Sequence, residues 1–147
     1  MYGIWESQPR GADPNADPFE IPMHGLGLFM QRKSAWQGFN PLFLGFGGEE
    51  GYIHEKTRRA GARNILLPWL RWNHRFERPR GVPYPLVIEE RISNYMIGWI
   101  ETEQDVQDVH DHFTQTAPGV DLQALQAEVD QLLSMDLEDA IRRRRAT

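Results

Sequence analysis

The sequence contains no cysteine. Disulfides, thiolate metal sites and a cysteine nucleophile are therefore excluded. No apolar run approaches the roughly 18–20 residues that a membrane-spanning helix needs. The first residues have neither the basic nor the apolar region of a signal peptide. These absences predict a cytoplasmic protein without a membrane span, and the lack of cysteine is compatible with a reducing compartment.

The composition is that of a folded protein of one domain. The chain has 147 residues, of which 40% are hydrophobic and 11% aromatic, enough apolar surface for a core. Eight Lys or Arg and one acid fall between Lys56 and Arg80, whereas residues 101–141 contain eleven acids and no Lys or Arg. A basic block beside glycine turns suits a phosphate-bearing ligand, and ordinary solvated charge is an equal alternative.

The periodicity predicts an α/β chain, or α+β in isolation, with a few short strands and flanking helices. Residues 1–18 form an irregular arm rich in proline. The predicted strands lie in 19–30 and 64–67, and Trp69 to Trp72 continues extended. The predicted helices are 49–60, 86–101, 105–113 and a long amphipathic helix from Asp121 to about Arg145.

The chain is organised around the stretch Phe46-Gly47-Gly48-Glu49-Glu50. The two glycines allow positive φ and let the backbone approach a ligand closely. Two carboxylates in a first helical turn also suit the helix dipole, so a capped surface helix is the plain alternative. His54 lies four residues after Glu50, and a simple pair on the helix surface is the favoured interpretation of that spacing.

Three motifs in order carry a resemblance to a known family. They are Gly38-Phe39-Asn40-Pro41, then Gly45 to Glu50, and later His74 within Trp72-Asn73-His74-Arg75-Phe76. Together they resemble the acceptor-side, C-terminal half of GT-A-fold glycosyltransferases. The galactosyltransferases and the polypeptide N-acetylgalactosaminyltransferases are the most similar members. The resemblance covers roughly residues 19–85.

The resemblance implies roles for the acidic residues and the histidine. Glu49 matches the acid that hydrogen-bonds acceptor hydroxyls, and Glu50 matches the general base of the inverting members. A carboxylate within hydrogen-bond reach can accept the acceptor hydroxyl's proton as the glycosyl bond forms. His74 matches the histidine that helps to hold a divalent metal, usually manganese, on the diphosphate of a nucleotide-sugar donor.

Further positions are implied to bind substrate. Arg75 and Arg78 are placed to reach the donor diphosphate, which guanidinium groups bind in a bidentate manner. Phe46 and Trp36 are candidates to wall the acceptor sugar and could equally be core. The Trp69 and Trp72 pair is more typical of core than of a sugar platform.

The resemblance covers only half of the family fold. The nucleotide-binding half, with its Asp-x-Asp or Asp-x-His motif, would precede residue 19. Asp108-Val109-His110 fits the second motif in letters only and is predicted to be a solvated helix face. The expected organisation is an arm (1–18), a glycosyltransferase-like domain (19–116) and a C-terminal helix (117–147). The chain would then be a fragment, one half of a split enzyme whose partner supplies the donor-binding half, or a degenerate relative.

Other functions remain open. The same fragment could bind a glycan, or a protein partner through helix 121–145, without catalysing a reaction. Nucleic-acid binding by the basic block is a weaker alternative, and the four consecutive arginines at 142–145 add little to it.

Overall fold

The computed structural model describes residues 9–73 and 77–146. The described chain is mostly helical with one small antiparallel sheet. This confirms the coarse expectation of a mixed α and β fold, of the α+β kind. Strands β1 (Phe19–Glu20) and β2 (Ile65–Leu66) pair antiparallel, with Phe19 opposite Leu66 and Glu20 opposite Ile65.

Five α-helices make up the rest of the regular structure in the described ranges, apart from two short 3-10 turns. They are α1 (Glu49–Arg59), α2 (Ile88–Glu101), α3 (Gln107–Thr116), α4 (Leu122–Leu133) and α5 (Leu137–Ala146). Within the ranges given above, no helix combines the length and the apolar character needed to cross a membrane.

Helix α2 lies at the centre of the core. Its residues 92–99 are all buried, and it contacts α1, α3 and α4. The apolar side chains that surround it come from the turn before α1 and from all three later helices, and they include Leu42, Val109, Phe113, Leu122, Val129, Leu132 and Ala140. Helices α1, α3 and α4 therefore all pack against α2.

The predicted helix 49–60 is confirmed as α1, which ends one residue earlier, at Arg59. Gly48 precedes it with a left-handed backbone, and Ala60 closes it. Tyr52 and Ile53 are buried, each 1% exposed, whereas Ala60 is exposed.

The single C-terminal helix predicted from Asp121 to Arg145 is wrong, because α4 and α5 are separate. Asp121 caps α4 as predicted, accepting a hydrogen bond from Ala124 N at 2.9 Å. The helix then ends at Ser134, and Asp136 accepts a hydrogen bond from Glu138 N at 2.9 Å. Asp136 therefore caps a new helix where the apolar spacing suggested continuity.

The predictions around β2 are also corrected. The strand is confined to Ile65 and Leu66, and Ile65 is 36% exposed. A turn follows instead of an extended segment, with Leu70 N donating to Leu67 O at 3.0 Å. Trp69 and Trp72 are 55% and 43% exposed, so neither is a core residue.

The segment before α1 holds little regular structure. Of the strands predicted in 19–30, only β1 forms. A short 3-10 turn covers Lys33–Ala35.

Candidate functional site

A glycine turn delivers the two glutamates to the first turn of α1. Gly47 has φ 112° and Gly48 has φ 91°, both in the left-handed region that favours glycine. A Cβ on Gly47 would lie 2.6 Å from Cγ of Arg91. A Cβ on Gly48 would lie 3.3 Å from the backbone N of Tyr95. The sequence places glycine here because of both its backbone conformation and its contact with α2.

Asn94 of α2 holds this turn, and sequence reasoning missed it. Its side chain accepts a hydrogen bond from Leu44 N at 3.0 Å, and its amide nitrogen donates to Leu44 O at 2.7 Å and to Gly47 O at 3.0 Å. Asn94 is only 2% exposed. An asparagine between the apolar residues Ile92 and Tyr95 of the predicted helix 86–101 was the available signal, since a buried amide needs partners.

Glu49 and Glu50 are both half-buried at the start of α1. Oε1 of Glu50 accepts a hydrogen bond from the backbone N of Leu26 at 3.2 Å. This bond joins the glutamate to the segment that follows β1, which is distant in sequence.

Gly25 and Leu28, which flank Leu26 in the sequence, line an open, mainly apolar groove of about 270 Å³. Its lining comes from the chain after β1 and from the chain around β2, and includes His24, Leu28, Met30, Leu67, Leu70 and Trp72. Trp72, predicted to be a core residue, is instead part of this wall.

His54 is buried, so the predicted surface pair with Glu50 is wrong. It is 1% exposed, and its Nδ1 lies 2.5 Å from the carbonyl oxygen of Glu50, not from the carboxylate. The His24 ring packs edge-on at 4.4 Å between centroids. Burial is the main cause that lowers the pKa of His54 to about 4, and the charges of His24 and Arg58 lower it further against the hydrogen bond to Glu50.

Two of the aromatic side chains predicted to bind substrate are exposed. Phe46 is 48% exposed and stacks on Tyr84, with ring centroids 6.0 Å apart. Trp36 is 41% exposed and meets Phe39 edge-on at 5.1 Å. Both Phe46 and Trp36 are therefore accessible to a ligand, as the substrate-binding prediction requires.

The Asn40 of the first motif belongs to a polar network that joins α1 to the end of α2. Glu101 accepts hydrogen bonds from Tyr52 at 2.6 Å, from Asn40 at 2.8 Å and from Lys56 at 3.0 Å. Burial raises the pKa of Glu101, but these three hydrogen bonds and the Lys56 charge outweigh it and lower that pKa. Asn40 here is a structural residue that fixes the chain before the glycine turn.

Two of the predicted site residues, His74 and Arg75, lie outside the described residues. Arg78 is exposed in the loop before α2, where its carbonyl accepts a hydrogen bond from Gly81 N at 2.8 Å. Over residues 9–73 and 77–146, no three His, Asp or Glu side chains come together as metal ligands.

No protein-family model, curated protein or solved structure matches this chain. The interpretation of the site depends on its own geometry and on the order of its motifs.

Proposed function

We propose that this chain is the acceptor-side half of a GT-A-type glycosyltransferase, which transfers a sugar from a nucleotide-diphosphate donor to a hydroxyl acceptor. The donor-binding half would be supplied by another segment or by a partner protein. One observation carries the proposal. A glycine turn with two positive φ angles sets two half-buried glutamates at the start of a helix, beside exposed aromatic rings.

In this proposal Glu50 is the general base. Its carboxylate accepts the proton of the acceptor hydroxyl while that oxygen forms the new bond to the anomeric carbon. The bond between the anomeric carbon and the donor phosphate oxygen breaks, and the nucleotide diphosphate leaves with that electron pair. A carboxylate has two oxygens, so Glu50 can hold the Leu26 amide and accept a proton at once.

Glu49 and the aromatic residues would orient the acceptor. Glu49 lies in the same helical turn and can accept hydrogen bonds from further sugar hydroxyls. Phe46, supported by Tyr84, offers an aromatic ring beside the glycine turn.

A manganese ion, if the complete site holds one, would need ligands beyond the described residues. His74 is the proposed contribution of this chain, and the donor-binding half would give the carboxylates. The metal would supply charge neutralisation on the leaving diphosphate. Arg75 and Arg78 would bind the same group.

The experiment is a transfer assay on the whole chain, with UDP-sugars and GDP-sugars as donors and a panel of simple methyl glycosides as acceptors. We expect Glu50→Gln to lower transfer at least about 100-fold, since it removes the base but keeps the size and hydrogen-bonding capacity of the side chain. Glu138→Gln is the matched control, because it removes a first-turn carboxylate from α5. Equal activity of the wild type and Glu50→Gln would remove Glu50 from this role.

A second candidate is a glycan-binding module without catalysis. The exposed aromatic rings favour it, because Trp36, Phe39 and Trp69 offer apolar faces of the kind that stack on sugars. It predicts glycoside binding with neither nucleotide-sugar hydrolysis nor nucleotide affinity in the presence of manganese. Hydrolysis or transfer above the rate of the Glu50→Gln variant would exclude it.

A further inference from the structure

The glycine turn is fixed from the side by a helix that is distant in sequence. Leu44 and Gly47 present three backbone groups to one side chain, Asn94, fifty and forty-seven residues later. A turn without regular structure leaves such groups without helix or strand partners, and burying them unpaired is costly. The Asn94 amide has both the acceptor and the donors that the turn needs.

The fit between turn and helix is also steric. A Cβ on Gly48 would lie 3.2 Å from Cβ of Asn94 and 3.3 Å from its backbone carbon. The turn thus rests directly on α2 at the residue that bonds to it. Since Gly48 is the N-cap residue of α1, the position of the first helical turn is set by this contact.

We propose that Asn94 is a positioning residue, which sets Glu50 in its productive place by holding the glycine turn against α2. This rests on the proposed function, and it adds a residue that would act without touching the acceptor. The chain of contacts runs from Asn94 to Gly47, through the N-cap Gly48 to Glu50, and ends at the Leu26 amide.

Asn94→Asp is the sharpest variant. It keeps the size of the side chain and the acceptor for Leu44 N, but it turns an oxygen toward the carbonyls of Leu44 and Gly47, where the amide donated. Asn94→Ala removes all three hydrogen bonds without placing an oxygen against the two carbonyls. It replaces Asn94→Asp in the experiment if that variant does not fold. Ser93→Ala is the matched control, since Ser93 is a buried neighbour whose hydroxyl has no hydrogen-bond partner among the described residues.

The first readout needs no activity. In the wild type, the amide proton shift of Leu26 should follow the ionisation of Glu50 in an NMR pH titration, because the two groups are hydrogen-bonded. We expect Asn94→Asp or Asn94→Ala to lose at least half of this response while core amides such as Ile97 keep their shifts. Ser93→Ala should keep it fully. A folded variant with the full response overturns the proposal.

The second readout is kinetic. A displaced Glu50 should lower kcat by about 10- to 100-fold with the donor KM nearly unchanged. A role in stability alone would lower the melting temperature and leave kcat of the folded protein unchanged, and that result also overturns the proposal. A wild type without transfer would defeat the proposed function, whereas the Leu26 response would still decide the role of Asn94.

One measurement on the wild type covers the case in which neither variant folds. The side-chain amide protons of Asn94 should exchange slowly with solvent, because they are buried and donate to two carbonyls. Exchange as fast as that of an exposed asparagine such as Asn15 would contradict the proposal.

Discussion

At the scale of single residues, His54 shows how burial sets a property that spacing cannot give. Its imidazole lies under the His24 and Phe29 rings, with centroid distances of 4.4 and 5.9 Å, and is 1% exposed. A helix position four residues after a glutamate is typical of a surface pair. The segment that covers His54 comes from before α1 and forms little regular structure, so the sequence pattern did not reveal it.

The lowered pKa of His54 predicts how stability depends on pH. The folded protein takes up the proton only near pH 4, whereas the unfolded chain takes it up near pH 6.5. Between these values the unfolded state binds more protons, so stability falls as the pH falls. The loss should be complete below pH 4 and amount to about 3 kcal/mol at most.

Urea unfolding at intervals from pH 7 to pH 4 checks this prediction. His54→Gln cannot titrate, so its free energy of unfolding should fall by about 3 kcal/mol less than that of the wild type over this range. Curves for the two proteins that stay parallel from pH 7 to pH 4 would show that His54 is not a buried neutral group.

At the scale of elements, α1 and α2 are joined by a polar network at one end and by the glycine turn at the other. The Tyr52 hydroxyl donates to Glu101 and accepts from Lys56 at 2.8 Å. Burial is the main cause that raises the pKa of Tyr52, and the nearby Glu101 raises it further. The hydroxyl therefore stays protonated and keeps the two charged groups connected.

Tyr52→Phe should lower the free energy of unfolding by about 1–3 kcal/mol, because Glu101 and Lys56, both partly buried, each lose a hydrogen bond to the Tyr52 hydroxyl. Tyr84→Phe is the matched control. Its ring stacks on Phe46 near the surface, and loss of its hydroxyl should change stability by about 0.5 kcal/mol or less. Denaturant titration of the two variants gives both numbers, and equal losses would show that the network adds no stability.

The elements that were predicted well are those whose signals are local. Helix α1 was placed correctly because glycines, first-turn acids and Gly61 mark both of its ends. The break between α4 and α5 was missed, because the apolar spacing continues through it from Leu133 to Leu137. Only the capping hydrogen bond of Asp136 shows that a new helix begins.

In the candidate site, too, the residues with local sequence signals were predicted and the others were missed. The glycines and glutamates were predicted from the sequence because turn and helix-start chemistry is encoded in adjacent residues. Asn94 and Leu26 were missed, since each reaches the site through a contact between distant parts of the chain. The exposure of Trp72 was also missed, because an aromatic residue after an apolar run is as typical of a core as of a groove wall.

The whole molecule consists of a helical core, a small two-stranded sheet and a groove that is open to solvent. A two-stranded sheet is marginal by itself in water, so the packing around α2 supplies most of the support for the described fold. The exposed aromatic residues include Phe46 beside the glycine turn and Trp69 and Trp72 after β2, and the apolar groove is lined by residues after β1 and around β2.

In the proposed function, the glycine turn and the first turn of α1 form the surface that binds the acceptor. The most direct measurement is a titration of the ¹⁵N-labelled chain with a panel of methyl glycosides, followed by amide chemical shifts. We expect at least one glycoside to change the amide chemical shifts of Leu26 and residues 46–50 and to leave those of α4 unchanged. Shifts confined to α4 and α5, or no shift with any glycoside at millimolar concentration, would contradict it.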